Sequence, residues 1–202
     1  MKLYFSPGAC SLSPRISLLE AGLDFTTEKV DTKTKKTESG GDFYAVNSKG
    51  YVPVLQLDNG EYLTEGPAIV QYIADLKPES GLAPKAGTME RTRLQEMLNF
   101  ITSEIHKGFS PLFDATLSPE VKQVFKDKLG KRFDWLSADL QNKTWAMGEN
   151  FSVADGYLFT VLNWGQWVGV DLAKWPVLLA YHARVAARPK VQEALKAEGL
   201  VK

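Results

Sequence analysis

Residues 50–76 read GYVPVLQLDNGEYLTEGPAIVQYIADL, and the fold of the first third of the chain turns on them. The runs VPVLQL (52–57) and EYLTE (61–65) flank Asp58-Asn59-Gly60, and Asn-Gly between two such runs signals a tight antiparallel hairpin. GPAIVQYIADL (66–76) then reads as a helix with Pro67 in its first turn, where a missing N–H is no loss. Working upstream, KLYFS (2–6) is a strand, and Leu12, Ile16 and Leu19 recur at helical spacing before the stop at Gly22. DFTTEKV (24–30) is a second strand. A polar, basic stretch, DTKTKKTESGGDFYAVNSKG (31–50), joins the halves, with a short irregular helix expected around 42–46. The order is βαβ, a connection, then ββα. Such a chain makes a right-handed parallel crossover and adds an antiparallel hairpin to the same sheet.

That is the order of a thioredoxin-like domain, placed at residues 1–77. KPESGLAPKAGT (77–88) has two prolines, two glycines and little apolar periodicity, so 78–88 reads as a linker. Beyond it strand signals vanish, and 89–202 is expected to be an all-helical domain. Leu94, Leu98, Ile101, Ile105, Phe109 and Leu112 form one stripe on a helix running 89–112. Ser118-Pro119 combines an N-cap with proline at the first helical position and opens a helix to about Leu140. SVAD (152–155) resembles a capping box, a folding device worth roughly 0.5–2 kcal/mol, so Asp155 is expected to be structural. Its apolar half is missing, because the staple from Phe151 would land on Gly156. WPVLLAYHARVAARP and KVQEALKAEG supply two further helices, and His182 in the former is expected on a helix surface. The fold class is thus an α/β N-terminal thioredoxin-like domain followed by an all-α C-terminal domain.

Lys plus Arg equals Asp plus Glu at 24 each over 202 residues, with no long block of one sign, so no footprint for nucleic acid is visible. No run of about 18 apolar residues could span a bilayer, and the N-terminal residues lack the apolar run of a signal peptide. The chain has 1 cysteine, which allows no internal disulfide and fits a reducing, cytoplasmic setting. No metal site is expected.

That cysteine, Cys10, lies in SPGACSLSP (6–14) at the mouth of the first helix. Unpaired N–H groups and the helix dipole there favour thiolate. The pattern is Cys-x-x-Ser, so any disulfide must form with another molecule; the other reading is a small buried apolar residue. Pro53, just before a strand, reads either as a cis proline facing the cysteine, as the thioredoxin-like order suggests, or as a plain strand-start proline. Glu65 and Gly66 stand where helix N–H groups can bind a carboxylate and a side chain can bind an ammonium, the two charges of an α-amino acid; an ordinary helix start looks the same. Asn99, Ser103 and His106 are spaced to share one helical face, which is either a functional stripe or simply wet.

Together, SPGACSLSP, GYVPVLQLDNGEYLTEGPAIVQYIAD, LNFITSEIHKGFSPLF and SVADGYLF resemble the bacterial beta-class glutathione S-transferases, over the whole chain. The resemblance implies a homodimer that conjugates glutathione, its co-substrate, to small apolar electrophiles, and a cysteine able to hold glutathione as a mixed disulfide. Carried onto this sequence, it has Cys10 facing the glutathione sulfur, Tyr51 and Val52-Pro53 at the cysteinyl backbone, and Glu65 with Gly66 at the γ-glutamyl head. Lys35 would meet the glycyl carboxylate. Family sites commonly show Ser after the acidic residue, where this chain has Gly66. His106 would lie near the thiol, with Ser103 on the same face, while Asn99 and Glu104 would reach the glutathione of the neighbouring subunit. Phe109 and Phe113 are candidates for lining the electrophile pocket.

Three functions remain in view. A transferase activates the thiol of glutathione and positions it against an electrophile. A glutathione-dependent thiol-disulfide or peroxide reductase would use Cys10 as a redox nucleophile. A non-enzymatic binding relative would need no such combination of Cys10, Val52-Pro53, Glu65 and His106.

Overall fold

In the computed structural model, which describes residues 1–201, the chain divides into two compact units: Met1–Ala83 with the tail from Arg188 onward, and Pro84–Ala187. In the first, β1 (Lys2–Phe5), α1 (Leu12–Glu20) and β2 (Thr26–Asp31) form the crossover, with β1 parallel to β2 and Lys2 opposite Thr26. A strand too short to show periodicity, β3 (Lys36–Thr37), pairs antiparallel with β2 inside the segment expected to be a plain connection. Next comes a 3-10 turn (Phe43–Ala45), capped by the Asp42 carboxylate accepting the Tyr44 N–H. β4 (Val54–Gln56) and β5 (Tyr62–Thr64) are the hairpin, closed by the Leu57 N–H on the Glu61 carbonyl at 2.8 Å. The Asn59 side chain reinforces the turn by accepting the Glu61 N–H. The sheet order is β3-β2-β1-β4-β5, and α2 (Gly66–Leu76) follows. Leu3, Leu55, Ile16, Ile69 and Ile73 are fully buried, so the central strands and the inner faces of α1 and α2 make one core.

The second unit opens with α3 (Met89–Phe100), capped by Thr88, whose hydroxyl accepts the Arg91 N–H. The expected single helix 89–112 does not continue as such. Ile101–His106 is π-helical, followed by one α-turn, α4 (Lys107–Phe109), and a 3-10 turn (Ser110–Phe113) that includes Pro111. The cause is local: the Thr102 and Ser103 hydroxyls donate to the Leu98 and Asn99 carbonyls at 2.8 and 3.0 Å, competing with the α-helical ladder where the register widens. The apolar stripe survives, for Leu94, Leu98, Ile101, Ile105, Phe109 and Leu112 are all buried. α5 (Pro119–Leu140) starts and stops where its sequence signals lie, with Ser118 accepting the Val121 N–H. α6 (Val153–Leu162), buried along its whole length, is followed by α7 (Gly165–Val168) and α8 (Pro176–Ala186). Asp155 has the structural role expected of it: its carboxylate accepts from the Ala146 and Ser152 N–H groups and from the hydroxyls of Ser152 and Tyr181. Phe151, with no staple partner at Gly156, packs edge-on against Trp145 instead.

The tail differs from the expected 89–202 domain. α9 (Pro189–Ala197) groups with the first unit and packs on α1. Arg188 makes a two-pronged bond to Glu20 at 2.7 Å, Val191 and Ala194 are fully buried, and the Arg15 guanidinium meets Glu198 at 2.9 Å. A polar-rich helix at a chain terminus shows none of this in its own periodicity. Among the described residues no helix is long and apolar enough to cross a membrane.

Candidate functional site

The loop carrying Cys10 is built by short-range chemistry. Ser6-Pro7-Gly8-Ala9 is a β-turn closed by the Ala9 N–H on the Ser6 carbonyl at 3.0 Å, with proline second and Gly8 third at φ +72°. The buried Ser11 hydroxyl bonds both the N–H and the carbonyl of Ser6. From the tail, the Glu198 carboxylate accepts the Gly8 N–H at 2.8 Å as well as Arg15. Burial pushes the Glu198 carboxyl above its usual range, while those two donors pull it back down. Two residues beyond Gly8, the half-buried Cys10 thiol donates to the Val52 carbonyl at 3.3 Å.

Val52-Pro53 is a cis peptide bond, which settles the two readings of Pro53. The strand-entry loop is itself braced: the Asn47 side chain donates to the Tyr51 carbonyl at 2.8 Å, and Lys35 Nζ donates to the Gly50 carbonyl at 2.6 Å. Gly50, at φ +70°, has no room for a side chain, since a Cβ would lie 2.6 Å from the Tyr44 ring. The Glu65 carboxylate accepts from Lys49 at 2.5 Å and from the Tyr51 hydroxyl at 3.2 Å. That pairing raises the Lys49 ammonium above its ordinary value. Gly66 opens α2 with nothing within 4 Å of a would-be Cβ. Among the described residues, Lys35 (φ +58°) and Glu65 (φ +71°) are the non-glycine residues in the left-handed region. Such backbone costs about 1–3 kcal/mol per residue and gathers at ligand clamps, and the family resemblance independently implies a binding role for both residues.

In the second unit, His106 ends the π-helical segment, with Nδ1 2.7 Å from the Tyr157 hydroxyl. Trp164 meets the imidazole edge-on at 4.7 Å between ring centres and Tyr157 does so at 5.9 Å. Burial among these rings, with Lys107 adding to it, lowers the His106 pKa to about 4, so the ring is neutral at pH 7. Asn99 and Ser103 are exposed while His106 is turned into aromatic surroundings, so the three do not form one wet face. Glu104 is held by Arg132 at 2.6 Å.

Two family profiles match: the N-terminal domain of glutathione S-transferases over residues 8–76, and the C-terminal domain over 100–189. Glutathione S-transferase GstA of Escherichia coli O157:H7 is 45% identical across 99% of this chain and 100% of its own. The chain belongs to the glutathione S-transferase family. A sphingomonad glutathione S-transferase solved with glutathione is 50% identical with a TM-score of 0.96, each chain covered in full. The bacterial beta-class enzyme of Sphingomonas chungbukensis is 51% identical at the same TM-score and coverage. The beta-class resemblance therefore holds for this glutathione S-transferase along its entire length.

Within this transferase, the structure brings together Cys10, Val52 and Pro53 directly, and Tyr51 with Glu65 and Gly66 beside them along the chain. Phe109 is a correction: it is fully buried, tilted against Phe133 and edge-on to Trp164, and offers no surface to a pocket, whereas Phe113 is half exposed. His182 is another. It is half-buried, stacked on Phe159 at 4.7 Å and bonded to Asn163 at 2.9 Å, because α8 packs against α6. Sequence reasoning missed Asn47, which braces nearby Tyr51, and Lys49, Tyr157, Trp164 and Glu198, which bear on Glu65, on His106 and on the Cys10 loop from farther along the chain. The crowding of all the tryptophans into 135–175 was the one signal that pointed at Trp164. Among the described residues no cluster of His, Cys, Asp or Glu could hold a metal ion.

Proposed function

We propose that this transferase binds glutathione against the Cys10 loop and the cis Val52-Pro53 turn and transfers its sulfur to small apolar electrophiles. The observation that carries the reading is the Cys10 thiol seated 3.3 Å from the Val52 carbonyl, on the backbone edge where the cysteinyl residue of the tripeptide would pair. Glu65, on its strained backbone, takes the γ-glutamyl ammonium in exchange for Lys49, and the N–H groups opening α2 take the adjoining carboxylate. Lys35 takes the glycyl carboxylate in exchange for the Gly50 carbonyl.

In the conjugation step the glutathione thiolate attacks the electrophilic carbon, a sulfur–carbon bond forms, and the leaving group departs with its electron pair. The protein contributes position and stabilisation of the thiolate, and His106 enters as a neutral ring, a hydrogen-bonding group and not a cation. Cys10 has a separate reaction: its thiolate attacks glutathione disulfide, forming a mixed disulfide and releasing one glutathione thiolate. With 1 cysteine in the chain, that adduct waits for a second glutathione. The protein works as a cytoplasmic homodimer in which Asn99 and Glu104 serve the neighbouring subunit's ligand; light scattering showing an active monomer would contradict this.

The test is Cys10→Ala, assayed for conjugation of 1-chloro-2,4-dinitrobenzene and for thiol transfer, with intact mass measured after exposure to glutathione disulfide. Loss of the adduct with conjugation only partly reduced is the expected result. Equal and complete loss of both activities makes Cys10 the obligatory nucleophile and replaces transferase by reductase.

A further inference from the structure

The His106 ring has two nitrogens, and which carries the proton decides whether the group offers a donor or an acceptor to its surroundings. Nδ1 faces the Tyr157 hydroxyl at 2.7 Å. Both directions of donation fit that separation, so acceptor strength decides between them. A neutral imidazole has one pyridine-type lone pair, a stronger acceptor than a phenol oxygen, so the pairing runs O–H to N. Nε2 has no hydrogen-bond partner among the described residues, and it is not among the buried unpartnered atoms, so it has accessible surface.

We propose that Tyr157 is a positioning residue that donates its hydroxyl to Nδ1 of His106 and so fixes the ring proton on Nε2, leaving that nitrogen a dedicated hydrogen-bond donor. The support for Tyr157 is rigid. It sits on α6, whose residues are all buried, two positions past Asp155, which ties the helix start to the Ala146 N–H and the Tyr181 hydroxyl. Trp164, just beyond the other end of α6, closes edge-on against the same ring. The ring's neutrality follows from the burial described above, and the nearest cation in sequence, Lys107, opposes any second proton. Resting on the proposed function, this makes His106 a neutral donor to developing negative charge and not a base.

The chain has 2 histidines, so the ring nitrogens can be assigned in uniformly 15N-labelled protein with His182→Asn as the reference variant. At pH 7 the expected spectrum shows His106 with Nε2 protonated and Nδ1 pyridine-like, and Tyr157→Phe shifts the Nδ1 resonance as its donor disappears. A proton on Nδ1 in the unmodified protein, or ring nitrogens unmoved in Tyr157→Phe, overturns the proposal. If Tyr157→Phe does not fold, the unmodified spectrum still decides. A kinetic arm compares His106→Gln, whose amide nitrogen reaches the Nε2 position, with His106→Asn, whose amide reaches only Nδ1. Gln is expected to retain kcat far better, Asn losing about 100-fold, as for removal of one donor from an anion; the reverse ranking overturns the proposal. Absence of any glutathione conjugation would sink the functional reading and leave the tautomer result standing.

Discussion

Around Cys10 the geometry is set largely through the main chain: a Pro-Gly turn, the Ser11 hydroxyl on Ser6, the Cys10 thiol on the Val52 carbonyl and left-handed backbone at Lys35 and Glu65, with Glu198 reaching the Gly8 N–H from the tail. Around His106 the environment is made of side chains from distant segments, with Tyr157 and Trp164 brought to the ring by α6 and its end. The first region sets geometry through the main chain and keeps Glu65 and Tyr51 exposed for a ligand. The second sets a protonation state by excluding water. Backbone and ion-pair changes should therefore register at the first region, and pH at the second.

The largest expected effects come from one buried carboxylate in each unit. Glu198→Ala leaves the Arg15 charge unpaired and the Gly8 N–H without its acceptor, and Asp155→Ala strands four donors. Each should cost about 3–5 kcal/mol in denaturant unfolding. Only Glu198→Ala should also change the rate at which iodoacetamide alkylates Cys10 under folding conditions, because only it releases the cysteine loop. Equal alkylation rates in both variants would break the distinction between the units.

Next in size is a pH effect specific to the second region. The native His106 pKa of about 4 lies below the ordinary 6.5, so between those values the unfolded chain binds a proton that the native one refuses. Stability from this group is full above pH 6.5 and falls as pH drops toward 4, by roughly 3 kcal/mol in all. His182, lowered by burial, adds in the same direction. Unfolding free energies measured from pH 4 to 7 should show a shallower slope in His106→Gln than in the unmodified protein; identical slopes would mean the ring is already charged in the fold.

The contrast also explains what could be read from the sequence. The βαβ-ββα order, the Asn-Gly hairpin, Ser118-Pro119 and the Ser152–Asp155 box are encoded within a few residues each, and the structure has all of them. The π-helical segment was hidden because its cause, two hydroxyls bonding backward to carbonyls, leaves the apolar stripe of Leu98, Ile101 and Ile105 intact. Glu198 and Tyr157 were invisible for another reason. Their roles consist of single bonds spanning 190 and 51 residues, to Gly8 and to His106. Phe109 and His182 were misjudged because helical spacing gives a face but not what covers it.

The smallest expected effect is at Gly66, where the space for a Cβ is open and the helix start tolerates serine. Gly66→Ser should raise stability by about 0.3–0.5 kcal/mol from helix propensity and should leave glutathione affinity equal or improved. Weaker binding in a stable variant would show that the ligand's carboxylate needs the bare backbone there.

The most direct test of the account is calorimetric titration of glutathione into the unmodified protein and into Glu65→Gln. Saturable binding of one glutathione per chain is expected, weakened about 10–100-fold in Glu65→Gln by loss of a charged hydrogen bond worth about 1.5–3 kcal/mol. No binding to the unmodified protein, or equal affinity in the two, would contradict the assignment of the Cys10 and Glu65 region as the glutathione site.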